Sequence, residues 1–511
     1  MSVDKLRGSR HINRISPSDI GLLMSAQSYR PEITKAINKI KSLKWCLLQE
    51  LVINTISPGP HPKYGGSYPC LKTKNVDGLL AILDPADYAD ETVFKDLNKV
   101  TVKKGDLLIN LTGAGSIGRV SVYYGDDRPI TNQHIARMSV KPNIDEAYLA
   151  CFLRSWWGER ALEQGVAGST GQINMVNEHV RSIPVYLPDN LAQKYIGDKV
   201  RQAEQLRAWA KRLEGSIESL LISSEAFVAA CETPNKLMSR PQLNDLSNRL
   251  DPKYYGTKAI AVHRFARKAG PLLGSLVNSV ANGFEERTFV ENGLAYITVS
   301  EVSSGRLNSK AAPKISKSIN VPAKAIVHES CVLVVRTGSI GTAVKVHSLD
   351  RGCAISSHLI RLEFKEEATA AAVAVFLNSK AGKVLLHKIS YGAVQPQIGQ
   401  EELLALSIPK YVLDLKEEYL HLLNNYELSI RASSSLTMTA KTLVESLIEG
   451  QLTEQQLIKA QQALDDGDHS LDQAILSKLS ADGFAIEGAT PLFSDLDELY
   501  RLLESAAQAE A

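Results

Sequence analysis

Two stretches of this chain carry the same short motif, Leu111-Thr-Gly-Ala-Gly-Ser-Ile-Gly-Arg119 and Val335-Arg-Thr-Gly-Ser-Ile-Gly-Thr342. Their Gly-Ser-Ile-Gly tetrapeptides begin at residues 115 and 338, which is an offset of 223 residues. Further matches follow in the same order at offsets of 224 and then 225 residues: Gln133-His134 with Ser357-His358, Phe152-Leu-Arg-Ser155 with Phe376-Leu-Asn-Ser379, Gln172-Ile173 with Gln397-Ile398, and Ser182-Ile-Pro184 with Ser407-Ile-Pro409. Because matches in a fixed order at a nearly constant offset indicate an internal repeat, the chain is predicted to contain one large unit twice.

Each copy is predicted to be a β-rich α+β unit with exposed loops. Residues 104–111 form a short apolar run, and residues 119–124 alternate like a second strand on the far side of the glycine-rich turn. Residues 148–163 have the spacing of an amphipathic helix, and a glycine-containing loop follows at 165–171.

Two stretches with coiled-coil periodicity separate and follow the copies. Apolar or small residues recur there at alternating steps of three and four, which predicts two long helices that pack side by side. The simplest arrangement is an antiparallel coiled coil with one globular unit at each end. The stripe residues are Ala203, Leu206, Ala210, Leu213, Ile217 and Leu220 in the first helix, and Val412, Leu415, Tyr419, Leu422, Tyr426, Ser429, Ser433, Leu436, Ala440, Leu443 and Leu447 in the second.

The charge of the chain is unevenly distributed. The formal net charge is +2, but residues 451–511 hold 12 acidic and 3 basic residues, so this segment is −9 and the first 450 residues are +11. A mildly basic body with an acidic tail is compatible with a nucleic-acid partner, although many enzymes share such an excess.

Composition and length indicate a folded protein of several domains. The 511 residues are 44% hydrophobic and 22% charged, near globular averages, and the length suggests roughly three domains. Six scattered cysteines without a CxxC pair favour neither a disulfide framework nor a zinc ribbon. The first residues lack the apolar core of a signal peptide, and the longest nearly apolar run, residues 368–377, is too short to span a bilayer. We therefore expect a cytoplasmic protein without a membrane segment and without a metal site.

Residues 113–118 also satisfy GxGxxG, the glycine pattern of dinucleotide-binding folds. Three observations oppose that interpretation: a strand pattern rather than a helix follows, the second copy has Arg336 at the first glycine, and Met138 stands where an acidic residue is needed. HExxH, GxSxG and the Asn-Pro-Pro-aromatic motif of amino-methyltransferases are absent from the sequence. A nucleotide-using enzyme remains the alternative from another functional class.

The loops of the two copies supply candidate DNA-contacting residues. Asn and Gln side chains pair with adenine edges and Arg with guanine, while closely spaced lysines beside an aromatic ring suit phosphate contacts. His134 and His358 are expected to be buried, hydrogen-bonded residues. The candidates are Lys63, Tyr64, Lys72, Lys74, Asn75, Thr112, Ser116, Arg119, Asn132, Gln133 and Gln172 in the first copy, and Arg287, Thr288, Ser300, Arg336, Ser339 and Gln397 in the second. Since the scaffolds repeat while the loops differ, each copy is expected to contact a different DNA half-site.

The layout resembles the DNA-specificity subunit of type I restriction-modification systems, with two target-recognition domains and two helical spacers. The resemblance rests on the duplicated motifs and covers roughly residues 30–453, although Ser357 and Pro396 depart from the family pattern. It implies a non-catalytic subunit that binds double-stranded DNA at a bipartite site and binds no cofactor. The same resemblance implies two copies of an adenine methyltransferase subunit carrying S-adenosylmethionine, and a restriction/translocase subunit using ATP and Mg. A specificity subunit of another DNA-modification or phage-defence complex is the closest alternative.

The resemblance also divides the chain into segments. They are an N-terminal helical segment (1–40), a first target-recognition domain (41–188), a central spacer helix (189–232), a second target-recognition domain (233–409), a C-terminal spacer helix (410–450) and an acidic helical tail (451–511).

Overall fold

The computed structural model describes residues 15–17, 20–54, 56–90, 100–168, 173–392 and 394–510. The chain divides into two compact units, unit 1 with residues 1–208 and 430–511, and unit 2 with residues 209–429. Both units mix helices and strands, in agreement with the predicted α+β class.

Helices and strands are interspersed along both units. In chain order, the helices are α1 Pro31–Lys41, α2 Leu48–Leu51, α3 Glu146–Arg154, α4 Trp156–Glu163, α5 Asn177–Arg181, α6 Asn190–Ile222, α7 Glu225–Glu232, α8 Thr257–Ala269, α9 Leu273–Leu276, α10 Glu367–Asn378, α11 Lys380–Ile389, α12 Gln400–Leu404, α13 Lys410–Asp414, α14 Lys416–Glu449, α15 Glu454–Asp465, α16 Ser470–Leu476 and α17 Leu496–Gln508. The strands are β1 Trp45–Leu47, β2 Ser57–Pro58, β3 Tyr64–Leu71, β4 Asp87–Ala89, β5 Leu107–Asn110, β6 Val120–Val122, β7 Ile130–Thr131, β8 Ile135–Met138, β9 Val166–Ala167, β10 Asn174–Met175, β11 Pro184–Tyr186, β12 Val277–Asn282, β13 Leu294–Ile297, β14 Lys314–Ile315, β15 Cys331–Val335, β16 Ala343–Lys345, β17 Ala354–Ile355, β18 Leu359–Phe364, β19 Leu479–Ser480 and β20 Gly483–Phe484.

The two units have the same sheet topology. Unit 1 contains a four-stranded sheet in the order β2-β8-β5-β6 and a three-stranded sheet in the order β4-β3-β7. Unit 2 repeats both, as β12-β18-β15-β16 and β14-β13-β17. The central strand of each three-stranded sheet pairs parallel with β7 or β17, and the four-stranded sheets are antiparallel throughout. This one-to-one match confirms the duplication that the sequence motifs indicate.

The structure corrects the alignment of the two copies near their ends. Thr112 bridges to Asn174 in unit 1, and Thr337 bridges to Gln397 in unit 2. Gln397 therefore corresponds to Asn174 and not to Gln172, as the 225-residue offset suggested. The reason is a one-residue difference in loop length: Ser155 and Ser379 cap equivalent helices, but the bridge lies 19 residues after Ser155 and only 18 after Ser379.

The core of unit 2 is built around α10 and β15. Every residue of β15 is buried, and α10 is apolar on almost all sides, so it lies between the four-stranded sheet and the other helices. Among the described helices no single one has the length and composition of a membrane span; α10 and α11 reach that composition only together, with a bend of 79° between them.

The long helices α6 and α14 contain 33 and 34 residues. In unit 1 the Ser433 hydroxyl donates to the carbonyl of Ala203 at 2.7 Å, and Tyr186, just before α6, meets Glu454, just after α14. This pairing makes the two helices antiparallel in unit 1, as predicted. Within the predicted stripe, most positions are buried, including Leu206 and Leu436.

The acidic C-terminal segment folds as three helices and a short hairpin within unit 1. Its Asp472 carboxylate is buried and lies 2.7 Å from the buried ammonium of Lys199 on α6. The hydroxyls of Tyr195 and Tyr500 donate to the same carboxylate, each at 2.6 Å. Burial raises the pKa of Asp472, but the Lys199 charge and these hydrogen bonds outweigh that effect and leave the pKa below its ordinary value.

Candidate nucleic-acid interface

Three loops meet at one edge of the sheets of unit 1. They are the lysine loop (72–77) after β3, the glycine turn (111–119) between β5 and β6, and the Gln-His loop (132–134) before β8. The Asn110 amide donates to the carbonyls of Thr73 and Val76 at 3.2 and 3.1 Å, and Asn132 N–H donates to the carbonyl of Leu71 at 3.3 Å. Hydrogen bonds of the sheet ends thus hold the three loops together.

The lysine loop carries its cations around one carboxylate. Lys72 and Lys74 lie 3.0 and 2.8 Å from the two oxygens of Asp87 on β4, and the Lys72 ammonium lies 4.0 Å from the centre of the Tyr64 ring. Hydrogen bonds from Lys74 and Lys72 lower the pKa of Asp87, and the bond to Asp87 raises the pKa of Lys72. Lys63 and Tyr64 are exposed at the start of β3. The aromatic ring and the lysines therefore lie close together, as predicted. The carboxylate of Asp87, which the sequence did not indicate, neutralises part of their charge.

Two predicted DNA-contacting residues are buried structural residues instead. Asn75 is 4% exposed, accepts from Lys72 N–H at 2.8 Å and donates to the carbonyl of Ile82 at 2.8 Å. Asn132 is 5% exposed and accepts from His134 N–H at 3.1 Å. Because their amides satisfy the backbone of the loops, we remove both from the candidate interface.

The glycine turn and the Gln-His loop share a hydrogen-bonded chain of side chains. The Thr112 hydroxyl lies 2.8 Å from His134 Nδ1, and Gln133 Nε2 lies 3.1 Å from His134 Nε2. With the Gln133 amide as donor, a neutral His134 carries its proton on Nδ1. The amide oxygen of Gln133 is buried without a hydrogen-bond partner among the described residues. The Ser116 hydroxyl donates to the carbonyls of Thr112 and Gly113 within the glycine turn. His134 is hydrogen-bonded, as expected, but it is only partly buried, so the expectation of burial is not met.

Arg119 closes the glycine turn through an ion pair with Asp77 of the lysine loop. It lines a cleft of about 620 Å³ together with Arg30 and Arg154. Burial lowers the pKa of Arg154, whose guanidinium donates to the carbonyl of Asp77 at 3.1 Å. Arg30 and Arg154 were not among the predicted residues, because Arg154 is distant in sequence from the lysine loop that it contacts and Arg30 from the glycine turn that lines the same cleft.

The glycine turn leads into a strand and not into a helix. Gly118 and Arg119 are followed directly by β6, and the turn is closed by the bond between Gly118 N–H and the carbonyl of Asn110 at 2.8 Å. A dinucleotide site needs the positive N-terminal end of a helix at this position. The structure therefore gives the nucleotide-enzyme alternative no support.

Unit 2 holds the equivalent loops by equivalent bonds. Ser356 N–H donates to the carbonyl of Ile297 at 2.9 Å, and Thr298 N–H donates to the Glu301 carboxylate at 2.7 Å, as Lys72 does to Asn75. Burial raises the pKa of Glu301, but bonds from Ser300 and Thr298 outweigh it and lower the pKa overall. The loop that carries lysines in unit 1 therefore carries a carboxylate in unit 2.

The predicted residues of unit 2 lie outside its strands and helices. Arg287 is exposed and pairs with Glu285 at 2.8 Å, while Thr288 N–H donates to Glu286 at 2.7 Å. The remaining predicted residues are distributed over the other loops: Ser300 donates to Glu301 at 2.6 Å, Arg336 donates to the carbonyl of Ser357 at 3.3 Å, Ser339 is exposed, and Gln397 bridges to Thr337.

Two further outcomes concern single residues. His358 is exposed, so the expectation that it is buried is wrong. Gln172 lies outside the described residues.

Gly59 and Gly283, which sequence reasoning missed, occupy equivalent places: a Cβ at Gly283 would collide with the carbonyl oxygens of Ile355 and Ser356. Only a residue without a side chain at these two positions allows the loops to approach the sheet so closely.

Comparison with known proteins finds a family similarity in the first half of the chain. Residues 61–218 match the family model of the type I restriction modification DNA specificity domain. The match ends in α6 and leaves residues 219–429 of unit 2 outside it. No curated protein sequence matches the chain. The family model describes a specificity domain, which agrees with the expectation of a non-catalytic subunit.

Three solved structures align over most of their length. The type I restriction-modification S subunit from M. genitalium is 13% identical, with a TM-score of 0.45, and the alignment covers 79% of this chain and 96% of that one. The HsdS subunit from Thermoanaerobacter tengcongensis is 13% identical, with a TM-score of 0.27 and coverage of 80% and 97%. A chain from a study of complex assembly and conformational transition of the type I R-M system is also 13% identical, with a TM-score of 0.28 and coverage of 80% and 98%.

Proposed function

Because residues 61–218 form a type I restriction modification DNA specificity domain, we propose that this chain is the specificity subunit of a type I restriction-modification complex. It binds double-stranded DNA and directs an adenine methyltransferase and a restriction nuclease to the bound site. The single observation that carries the proposal is the family match across the loops that hold Lys72, Arg119 and Gln133.

Each unit contacts one half of a bipartite site. Support comes from the shared sheet topology of the two units combined with their different loops. Unit 1 presents Lys63, Lys72 and Lys74, whereas the corresponding loops of unit 2 present Glu285, Glu286 and Glu301. Loops that differ in charge on the same scaffold suit two different sequences of one ligand class.

The chemistry belongs to partner subunits. S-adenosylmethionine is bound by two copies of the methyltransferase subunit, and ATP and Mg by a restriction/translocase subunit. The specificity chain positions these subunits on DNA through its own contacts with phosphates and base edges.

The proposal is tested by reconstitution with the methyltransferase subunit and sequencing of the methylated DNA. We expect methylation at a two-part sequence, and exchange of the unit 1 loops 59–67 and 72–77 for those of a related chain should alter one half of the sequence only. Methyl transfer by the pure chain, or a change in both halves, would contradict the proposal. Mass spectrometry of co-purifying proteins distinguishes it from the specificity subunit of another modification or defence complex.

A further inference from the structure

Unit 2 carries three basic side chains beside its glycine turn that no sequence motif marks. Lys383 and His387 lie on α11, one helical turn apart, and Lys253 precedes α8. A Cβ placed on Gly341 of the turn would lie 3.2 Å from His387 Nε2 and 3.8 Å from Lys383 Cγ, so α11 packs directly against the turn. The Lys253 ammonium lies 3.4 Å from the hydroxyl of Ser390, just beyond the end of α11. We call Lys253, Lys383 and His387 the α11 strip.

The α11 strip is exposed and has no counterion. All three side chains are exposed, and none is in an ion pair with a carboxylate of the described residues. Burial, and to a smaller extent the charge of Lys253, lowers the pKa of His387. Cations held together without an internal counterion favour an anionic ligand.

Unit 1 has acidic side chains at the positions equivalent to Lys383 and His387. Ser155 and Ser379 cap α4 and α11 in the same way, and this alignment places Glu159 and Glu163 where unit 2 has Lys383 and His387. Glu163 pairs with Arg30 at 2.9 Å. The same scaffold therefore carries carboxylates in one unit and, in the other, a lysine and a histidine without an ion pair among the described residues, and a requirement of the fold alone does not explain the strip.

The surroundings of the strip suit a nucleic-acid strand. Tyr391, next to Ser390, is 44% exposed, and its backbone pairs with that of Gln397 at 2.9 and 2.8 Å. Gln397 in turn bridges to Thr337 of the glycine turn. The backbone of Tyr391 and Gln397 thus links the segment just after α11 to the glycine turn, and the Tyr391 side chain is exposed in this segment.

We propose that the α11 strip binds the phosphate backbone of DNA next to the half-site contacted by unit 2, with Lys253 and Lys383 as the two charged contacts. The inference rests on the proposed DNA-binding function. His387 donates a hydrogen bond to a phosphate without contributing a charge near neutral pH, because its pKa is lowered.

The test is the salt dependence of binding to a random-sequence duplex, measured by fluorescence anisotropy on the full chain at pH 7.5. Each lost phosphate contact reduces the slope of log K against log salt by about 0.9, so Lys253→Ala/Lys383→Ala should reduce it by about 1.8. Lys459→Ala/Lys478→Ala in the C-terminal segment removes the same charge and should leave the slope unchanged.

The possible results separate phosphate binding by the α11 strip from DNA binding by the chain as a whole. If the unaltered chain binds with a salt-dependent affinity and both double variants keep its slope, the α11 strip is not a phosphate site, while the proposed function stands. Equal loss of slope in both variants attributes the effect to net charge and also overturns the inference. If the unaltered chain does not bind DNA, both the inference and the proposed function fail. Circular dichroism spectra of both variants confirm that the exposed substitutions leave the fold intact.

Discussion

The buried ion pair between Asp472 and Lys199 predicts how firmly the C-terminal segment is attached within unit 1. Both side chains are 1% exposed, and Asp472 also accepts two tyrosine hydroxyls. Asp472→Asn keeps the volume but leaves the ammonium buried without its counterion. Breaking a buried pair in this way costs about 3–5 kcal/mol. Since each 1.36 kcal/mol is tenfold in an equilibrium constant, undocking of the segment should become about 160- to 4,700-fold more favourable.

Native-state hydrogen exchange of the amides in α16 and α17 measures this change, because a docked segment exchanges through local opening. Asp465→Asn is the matched control: Asp465 also pairs with a lysine of α6, Lys194, at 2.9 Å, but on the surface, so exchange should change little. In Lys199→Met/Asp472→Asn, protection should largely return, since no buried charge remains. An increase in exchange of less than tenfold for Asp472→Asn would refute the reasoning.

The lowered pKa of Asp472 also fixes the pH dependence of this attachment. A carboxyl whose pKa is lower in the folded state stabilises the fold fully above its unfolded value, near 3.8, and the contribution is lost as the pH falls through the folded value. Protection of α16 and α17 should therefore be constant from pH 5 to 8 as far as Asp472 is concerned, and should fall only in acid. A loss of protection between pH 7 and 5 would contradict this assignment.

Three further predictions concern the DNA-contacting loops. Asp87→Asn releases the two ammoniums that it pairs, so non-specific DNA affinity should rise and the salt slope should steepen by about one to two units; an unchanged slope in anisotropy titrations would contradict this. Gly283→Ala forces the loop away from the sheet and should lower the melting temperature, whereas Gly256→Ala, with 3.5 Å to its nearest neighbour, should not do so by that mechanism; equal calorimetric effects would count against the steric argument. Thr112→Val removes the hydroxyl beside His134 Nδ1 and should lower the free energy of unfolding by about 1 kcal/mol, while the Gln133 amide keeps the same imidazole tautomer in ¹⁵N NMR spectra; an unchanged free energy of unfolding or an altered tautomer would contradict this.

The sequence by itself determined the repeated unit, the long paired helices and the absence of a nucleotide-binding helix after the glycine turn. All three depend on local patterns: motif order, the period of apolar residues, and the alternation that follows Gly118. Local patterns report which face of an element is buried, and burial of that face is what makes the element form. The same patterns placed the lysine loop and the glycine turn, although not the register between the copies at Gln397, because a one-residue difference in loop length becomes visible only in the backbone bridges.

Only the tertiary structure decided which side chains of those loops are available to DNA. Asn75 has the chemistry of a base-contacting residue, but the loop folds so that its amide serves the backbone, and a sequence does not distinguish the two uses. Lys72 and Arg119 are paired with Asp87 and Asp77, which come from other strands and loops. The charge that a surface offers to a ligand is the sum over residues brought together by the fold, and most of those residues are distant in sequence. For the same reason the unpaired Lys383 became visible only when α11 was placed beside the glycine turn.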